Sequence, residues 1–282
     1  MKRSYCLIRQ IIPQPKKLWI RLMFCWIVKL SNMLYDERLS PEMAEDQVIY
    51  NEHQVRYELA VALIQDLDSE AVVIDCACGE GYGVKHLAET GRKIIGIDIS
   101  EEVIKTASVK YQADNLSFQV DSAEKLATVK DSTVDVVISF ETIEHLPNYE
   151  AYLANVGRVL KTTGYAVIST PNKAVFGAKN PFHVREFNKQ EFVEVLGKYF
   201  KQVKVYEQFN GLASWIAGEG EGKAIVSSPS KPYYFLAVVS QSELPKMPGT
   251  VMSGNGLAYE RRENNPAWKL INKVYSIVRK FV

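Results

Sequence analysis

Three side chains able to hold a metal or move a proton lie within five residues of one another, in Glu141-Thr-Ile-Glu144-His145-Leu-Pro147. If a helical turn starts there, Glu141 shares a face with Glu144 and His145, three and four positions on. Two carboxylates and an imidazole make a mixed oxygen and nitrogen donor set suited to Mg²⁺, Mn²⁺ or Zn²⁺. His183, in the later run Pro181-Phe-His-Val-Arg-Glu-Phe187, is the candidate fourth ligand. Without a metal, His145 suits a general base, because imidazole titrates near neutral pH. A purely structural role for the set is the third reading. Arg185 orients an anionic substrate group or is simply a surface charge.

A second group of residues suits ligand binding. Asp75-Cys-Ala-Cys-Gly79-Glu-Gly81-Tyr-Gly83 falls where a strand gives way to a helix, and its glycines let a ligand approach the backbone. The dinucleotide pattern Gly-x-Gly-x-x-Gly is not met, since Val84 stands where the third glycine belongs. Asp98 follows at the end of the next β-branched run, and a carboxylate there offers paired acceptors to the two hydroxyls of a ribose. Two acids beside a glycine loop favour a ligand with a cation and a ribose but no phosphate.

The elements that must position these residues alternate from about residue 71. Strands are expected at Ala71–Asp75, Lys93–Asp98, Leu116–Val120, Val134–Ser139 and Tyr165–Thr170. Helices are expected at Val84–Glu89, after the Ser100 cap, and at Tyr149–Leu160, stopped by Thr162-Thr163-Gly164. Lys201–Glu207 and Tyr233–Val239 complete a seven-stranded sheet. This order predicts an α/β fold, Rossmann-like and doubly wound, mostly parallel with an antiparallel last strand. Such sheets bind ligands beyond the carboxyl ends of their strands, at the switch point of the strand order.

With these residues in view, the chain over about residues 45–240 resembles the class I S-adenosylmethionine-dependent methyltransferases. The resemblance rests on the Asp75–Gly83 loop, Asp98, Asp121-Ser122-Ala123 and Ser139-Phe140-Glu141, in family order and spacing. It implies that Gly79 and Gly81 flank the methionine part, Asp98 binds the ribose and Asp121 faces the adenine amino group. Asp75, Ala77, Ile99, Ser122, Ala123 and Phe140 complete the implied cofactor set. The family carries Gly where this chain has Ala77. Glu-x-x-Glu-His is shared with ubiquinone-biosynthesis O-methyltransferases. Together with His-x-x-Glu-aromatic it resembles small-RNA 2′-O-methyltransferases, which use a metal. Glu37-Arg-Leu-x-Pro41-Glu42, His53-x-x-Arg56-Tyr57 and Asn180–Phe187 resemble bacterial methyltransferases of cell-surface polysaccharide and glycan assembly. His53, Arg56 and Tyr57 either cover substrate or cofactor, or form the polar rim of a packing helix.

Composition narrows the classes further. The 282 residues are 47% hydrophobic and 24% charged, which excludes a disordered or disulfide-stapled chain. Four cysteines, two of them in Cys76-Ala-Cys78, point to a reducing, cytoplasmic compartment. The formal net charge of +1 hides an asymmetry: residues 1–35 hold seven basic side chains and no acid, residues 261–282 six against Glu263, so the body carries −11. An acidic body disfavours a nucleic-acid groove. The domain plan is a basic N-terminal arm (1–35), a methyltransferase domain (36–240), a loop (241–265) and a basic amphipathic helix (266–282). Neither end spans a bilayer by its pattern. The helix, with Trp268, Ile271, Tyr275 and Val278 on one stripe, either lies in a membrane interface or packs on its own domain or a second copy. Met33 is an alternative start.

The function expected is methyl transfer to a hydroxyl of a sugar or glycan-linked acceptor. The alternatives are O-methylation of a quinone, lipid or other small metabolite, and a non-catalytic cofactor-binding scaffold. The intact Glu141, Glu144 and His145 set speaks against the last.

Overall fold

The computed structural model describes residues 47–176, 180, 182–210, 213–217, 231–247 and 251–254. Nine strands form one sheet: β1 (Val72–Cys76), β2 (Lys93–Asp98), β3 (Leu116–Val120), β4 (Val134–Ser139), β5 (Leu160–Pro171), β6 (Gln202–Asn210), β7 (Ala213–Ala217), β8 (Tyr234–Ser240) and β9 (Val251–Gly254). Their order is β3-β2-β1-β4-β5-β8-β6-β7-β9. The first five pair in parallel, and β8 enters antiparallel between β5 and β6. The seven strands read from the sequence are therefore present, mostly parallel and ending antiparallel.

Two strands were not expected. β7 pairs antiparallel with β6, and β9 with β7, so residues 251–254 of the expected 241–265 loop are sheet. Their cue is weak in sequence because Pro and Gly surround β9, and its pairing partner is distant along the chain. The N-terminal arm and the amphipathic helix lie outside the described residues.

Six helices are described: α1 (Gln47–Ile64), α2 (Tyr82–Ala88), α3 (Glu101–Lys110), α4 (Tyr149–Val159), α5 (Lys173–Phe176) and α6 (Lys189–Leu196). Ser100 caps α3 as expected, its side chain accepting from Val103 N. α6 opens on a capping box in which Asn188 and Glu191 each bind the other's backbone N–H. The helix α4 ends one turn before the Thr-Thr-Gly signal. Leu160, the last expected helical residue, is instead the C-cap: it is extended, buried and paired with Val134.

Alternate residues of the buried strands face opposite sides. Ile74 and Cys76 join a core with Tyr152, Leu153 and Val156 of α4 and Phe192 and Leu196 of α6. Val73 joins the opposite core with Val55 and Leu59 of α1, Val84 and Leu87 of α2, and Ile104 of α3. Helices thus cover both faces, the doubly wound arrangement, and strand order reverses between β1 and β4. Among the described residues no helix is long and apolar enough to cross a membrane.

Candidate active site

The carboxyl ends of β1, β2 and β4 meet at this reversal, and the backbone there is left-handed at four residues: Ala77 (φ 63°), Gly79 (53°), Gly81 (81°) and, after β4, Glu141 (52°). Left-handed non-glycine residues are costly and gather where geometry is imposed by function. A side chain built on Gly79 would meet nothing within 4 Å, so the loop borders open space there. At Gly83 it would run into the Tyr57 ring at 1.9 Å. That glycine is needed so that α1 can lay Tyr57 across the start of α2.

Tyr57 in turn donates its hydroxyl to Asp75 Oδ2 at 2.9 Å. Asp75 is buried, and burial raises its carboxyl from the ordinary 3.8 to about 7; Tyr57's hydrogen bond opposes the rise and Asp98 adds to it. Asp98 is 8% exposed and accepts Gly79 N–H at 3.1 Å on Oδ2 and Ser100 N–H at 2.9 Å on Oδ1. Each oxygen retains a further lone pair, the arrangement a ribose diol needs. Ile99 beside it is 72% exposed, an apolar surface at the strand's end.

The other expected cofactor residues are placed less directly. Asp121 accepts from Ser122 N on one oxygen and from Thr128 N and Oγ1 on the other, closing the 121–128 turn. Ser122 Oγ accepts from Glu124 N, and Ala123 is buried in the core. Phe140 is buried edge-on to Tyr57, with ring centroids 5.1 Å apart.

Beyond β4, a single 3₁₀ turn spans Ile143–His145 with Thr142 as its cap. Glu141 lies outside that turn, so the shared helical face expected of Glu141, Glu144 and His145 is not formed. Its carboxylate accepts from Ser169 Oγ at 2.6 Å, while its N–H donates to the same hydroxyl at 3.0 Å. Glu144 is 0% exposed, and Thr170 Oγ1 donates to its Oε2 at 3.1 Å. His145 Nε2 lies 3.9 Å from Glu144 Oε1. His183, some forty residues later, packs edge-on to His145 with ring centroids 4.8 Å apart. Ligand atoms of Glu144, His145 and His183 all lie within 4.8 Å of one another. The structure therefore brings together three of the four expected metal ligands and sets Glu141 apart on Ser169. An oxygen and two nitrogens fit a divalent ion such as Mn²⁺ or Zn²⁺.

Ser169 and Thr170 were missed in sequence. The parallel register Ser139↔Ile168 carries them beside residues 140–144, and that register becomes visible only once β4 and β5 are paired. Arg56 gains a definite setting. It is 0% exposed, with Nη1 donating to Gln208 Oε1 at 2.9 Å and the guanidinium 4.5 Å over the Tyr234 ring. Its Nε and Nη2 are buried without a partner. Burial works against its charge, yet Glu141, Tyr234, Glu52 and Tyr82 together hold it charged. Burial, then Arg56, lowers the pKa of His53, whose Nδ1 meets Tyr82 hydroxyl at 2.8 Å. Arg185 stacks on Tyr149 and Phe187 and donates to Tyr149 hydroxyl at 2.8 Å, which ties its loop to α4.

A Rossmann-like sheet with a glycine loop after β1 and an acid after β2 is the arrangement expected of a class I S-adenosylmethionine-dependent methyltransferase. Residues 67–227 match the family model described as a methyltransferase domain, and the chain belongs to that family. A probable S-adenosylmethionine-dependent methyltransferase of Mycolicibacterium smegmatis is 33% identical over 168 residues, 58% of this chain and 63% of the relative. One from Mycobacterium tuberculosis is 32% identical over 168 residues, 58% of this chain and 59% of the relative. The chain thus matches about three fifths of the length of these relatives. The ubiquinone biosynthesis O-methyltransferase of Nitrosomonas europaea is 31% identical over 107 residues, 37% of this chain and 46% of its own. In fold, the chain is similar to the YcgJ protein of Bacillus subtilis (TM-score 0.52, 16% identity, 68% of this chain and all of that one). It is also similar to a chain of the Haloferax volcanii complex of Trm112 activator and putative methyltransferase (TM-score 0.51, 19% identity, 70% and 94%).

Proposed function

We propose that the protein transfers the methyl group to oxygen, with a hydroxyl of a sugar or glycan-linked molecule as acceptor. The observation that carries the oxygen assignment is the Glu144, His145 and His183 cluster beside the left-handed Glu141 turn, at the end of β4. An alcohol needs its proton removed before it attacks, and an imidazole or a metal ion supports that step. When bound, S-adenosylmethionine would supply a methyl on a sulfonium, to be taken in line by an acceptor oxygen as the S–CH₃ bond breaks and its electron pair leaves with the thioether sulfur. The chain's own residues supply alignment, the larger part of such a reaction. Asp98 holds the ribose, the open face of Gly79 admits the ligand to the backbone, and Ile99 covers an apolar ring. The two unpartnered nitrogens of Arg56 and its charge suit the carboxylate of the methionine part.

The glycan acceptor is favoured by the sequence resemblance of the Arg56 and His183 motifs. Quinone or other small-metabolite O-methylation is the second reading, favoured by the likeness to ubiquinone biosynthesis O-methyltransferases. Glu144, His145 and His183 would hold a divalent ion, which would lower the pKa of a coordinated hydroxyl. A panel of sugars, nucleotide-sugars and catechols, scored by S-adenosylhomocysteine release, tests the acceptor. Turnover abolished by EDTA and restored by Mg²⁺, Mn²⁺ or Zn²⁺ supports the metal. Full activity in EDTA with an inactive His145→Ala assigns His145 as the base instead. Transfer to a nitrogen acceptor alone defeats the oxygen assignment.

A further inference from the structure

We infer that Glu186 is a positioning residue for His183, fixing its imidazole in the Nδ1–H tautomer so that Nε2 keeps the lone pair. Two neighbours agree on this form, the Glu186 carboxylate at Nδ1 and the Asn180 amide at Nε2. On one side, His183 Nδ1 lies 3.1 Å from Glu186 Oε1, in a pair whose side chains are 9% and 6% exposed. A carboxylate accepts, so this nitrogen carries the proton. On the other side, Nε2 lies 2.9 Å from the Asn180 side-chain nitrogen. The orientation of that amide is set from within the loop, because Phe182 N–H donates to Asn180 Oδ1 at 3.0 Å. Its NH₂ end therefore faces the ring and donates, which requires a lone pair on Nε2.

The backbone holds this arrangement against the site of chemistry. Val184 N–H and Arg185 N–H both donate to the Glu144 carbonyl, at 2.8 and 3.1 Å. The Phe182 carbonyl lies 3.3 Å from His145 Nδ1, which gives the second imidazole the same kind of support. Residues 182–186, which follow α5, are thus tied to the 3₁₀ turn after β4, and each histidine has Nδ1 engaged by an acceptor of that segment. A histidine held through Nδ1–H by a carboxylate or carbonyl is the support a metal-binding or hydrogen-bonding Nε2 requires, since the acceptor sets both ring orientation and basicity. The His-x-x-Glu spacing places the supporting carboxylate three residues from the ring it supports.

The consequence for metal affinity rests on the proposed metal reading; the tautomer does not. The test uses the full chain labelled with ¹⁵N-histidine, at a pH where imidazoles are neutral. Long-range ¹H–¹⁵N correlations report the tautomer of each of the four histidines, with His183 assigned from its loss in His183→Gln. His183 is expected with Nδ1 protonated and Nε2 unprotonated, the form less favoured by imidazole in water. Glu186→Ala should shift the population toward the Nε2–H form against the remaining Asn180 donor, whereas Glu186→Gln, whose carbonyl oxygen still accepts, should retain Nδ1–H. In a Mn²⁺ titration followed by electron paramagnetic resonance, Glu186→Ala should bind roughly 10–100-fold more weakly and Glu186→Gln closer to the parent. S-adenosylmethionine affinity should be unchanged in both variants, which shows that the fold survives. A parent His183 in the Nε2–H form, or a tautomer indifferent to Glu186→Ala, overturns the inference. Mn²⁺ ignored by the parent, with the Nδ1–H tautomer and its Glu186 dependence intact, defeats the metal reading and upholds the positioning role.

Discussion

Asp75→Asn should stabilise the cofactor-free protein at alkaline pH and leave it unchanged in acid. Asp75 ends β1 in a buried setting, and desolvation raises its carboxyl from 3.8 to about 7, against the pull of Tyr57's hydrogen bond and with the push of Asp98. In the unfolded chain the same carboxyl ionises near ~3.9. Between these values the folded protein binds more protons than the unfolded one. Its stability therefore falls as pH rises from about 4 to about 7, then levels off. At about 1.36 kcal/mol per pH unit the full loss is roughly 4 kcal/mol, an upper value. Asparagine keeps the size and offers a carbonyl oxygen to Tyr57, so the variant escapes the loss. Urea unfolding of both proteins at pH 4, 6 and 8 should show a stability difference near zero at pH 4, growing to roughly 3–4 kcal/mol in favour of Asn at pH 8. A difference that is flat across pH, or a variant less stable at pH 8, would refute the reasoning, because it would mean that the buried carboxylate is ionised and solvated by donors. If Asn is the more stable residue at pH 8, the parent carboxyl is retained for binding, and weaker S-adenosylmethionine affinity in the variant is the expected counterpart.

Asp98→Ala should weaken S-adenosylmethionine by about 1.5–3 kcal/mol, the scale of hydrogen bonds to a charged group, measured calorimetrically; unchanged affinity removes the ribose assignment. Ala77→Gly should raise stability by about 0.5–1 kcal/mol, since relief of the left-handed alanine (φ 63°) outweighs the added freedom of the unfolded chain. A lower unfolding midpoint in urea contradicts it. Deleting residues 266–282 should reduce co-sedimentation with anionic vesicles at low salt while cofactor binding survives. A full-length chain that ignores such vesicles leaves packing as the role of that segment.

Much of this site was legible because its chemistry is local. The Asp75–Gly83 loop, Asp98 and the Ser100 cap are each set by a strand end and the turn after it, and, Ala77 apart, backbone conformation there follows from residue type. The five parallel strands were legible for a similar reason, most of them short β-branched runs bounded by turn residues, although β5 begins five residues before the expected Tyr165. Strands β7 and β9 were not, because antiparallel edge pairing with a distant segment leaves little trace in a short stretch rich in Gly and Pro. The helix Tyr149–Leu160 was legible to within one residue, since Leu160 is its C-cap and already pairs with Val134.

Tertiary structure alone decided how the chemical groups sort. Spacing put Glu141, Glu144 and His145 on one face, yet the backbone leaves β4 with Glu141 left-handed and begins its turn only at Ile143. Glu141 goes to Ser169, while Glu144 and His145 meet His183 from a loop some forty residues away. Those partners are chosen by the register of β4 against β5 and by the backbone bonds from Val184 and Arg185 to Glu144. Arg56 shows the same division. Its place in a helix motif was readable, but its charge is sustained by Glu141, Tyr234, Glu52 and Tyr82, drawn from separate parts of the chain. Residue types and spacings determine which chemistry a chain can perform; long-range pairing, which no local pattern encodes, decides which of those residues meet.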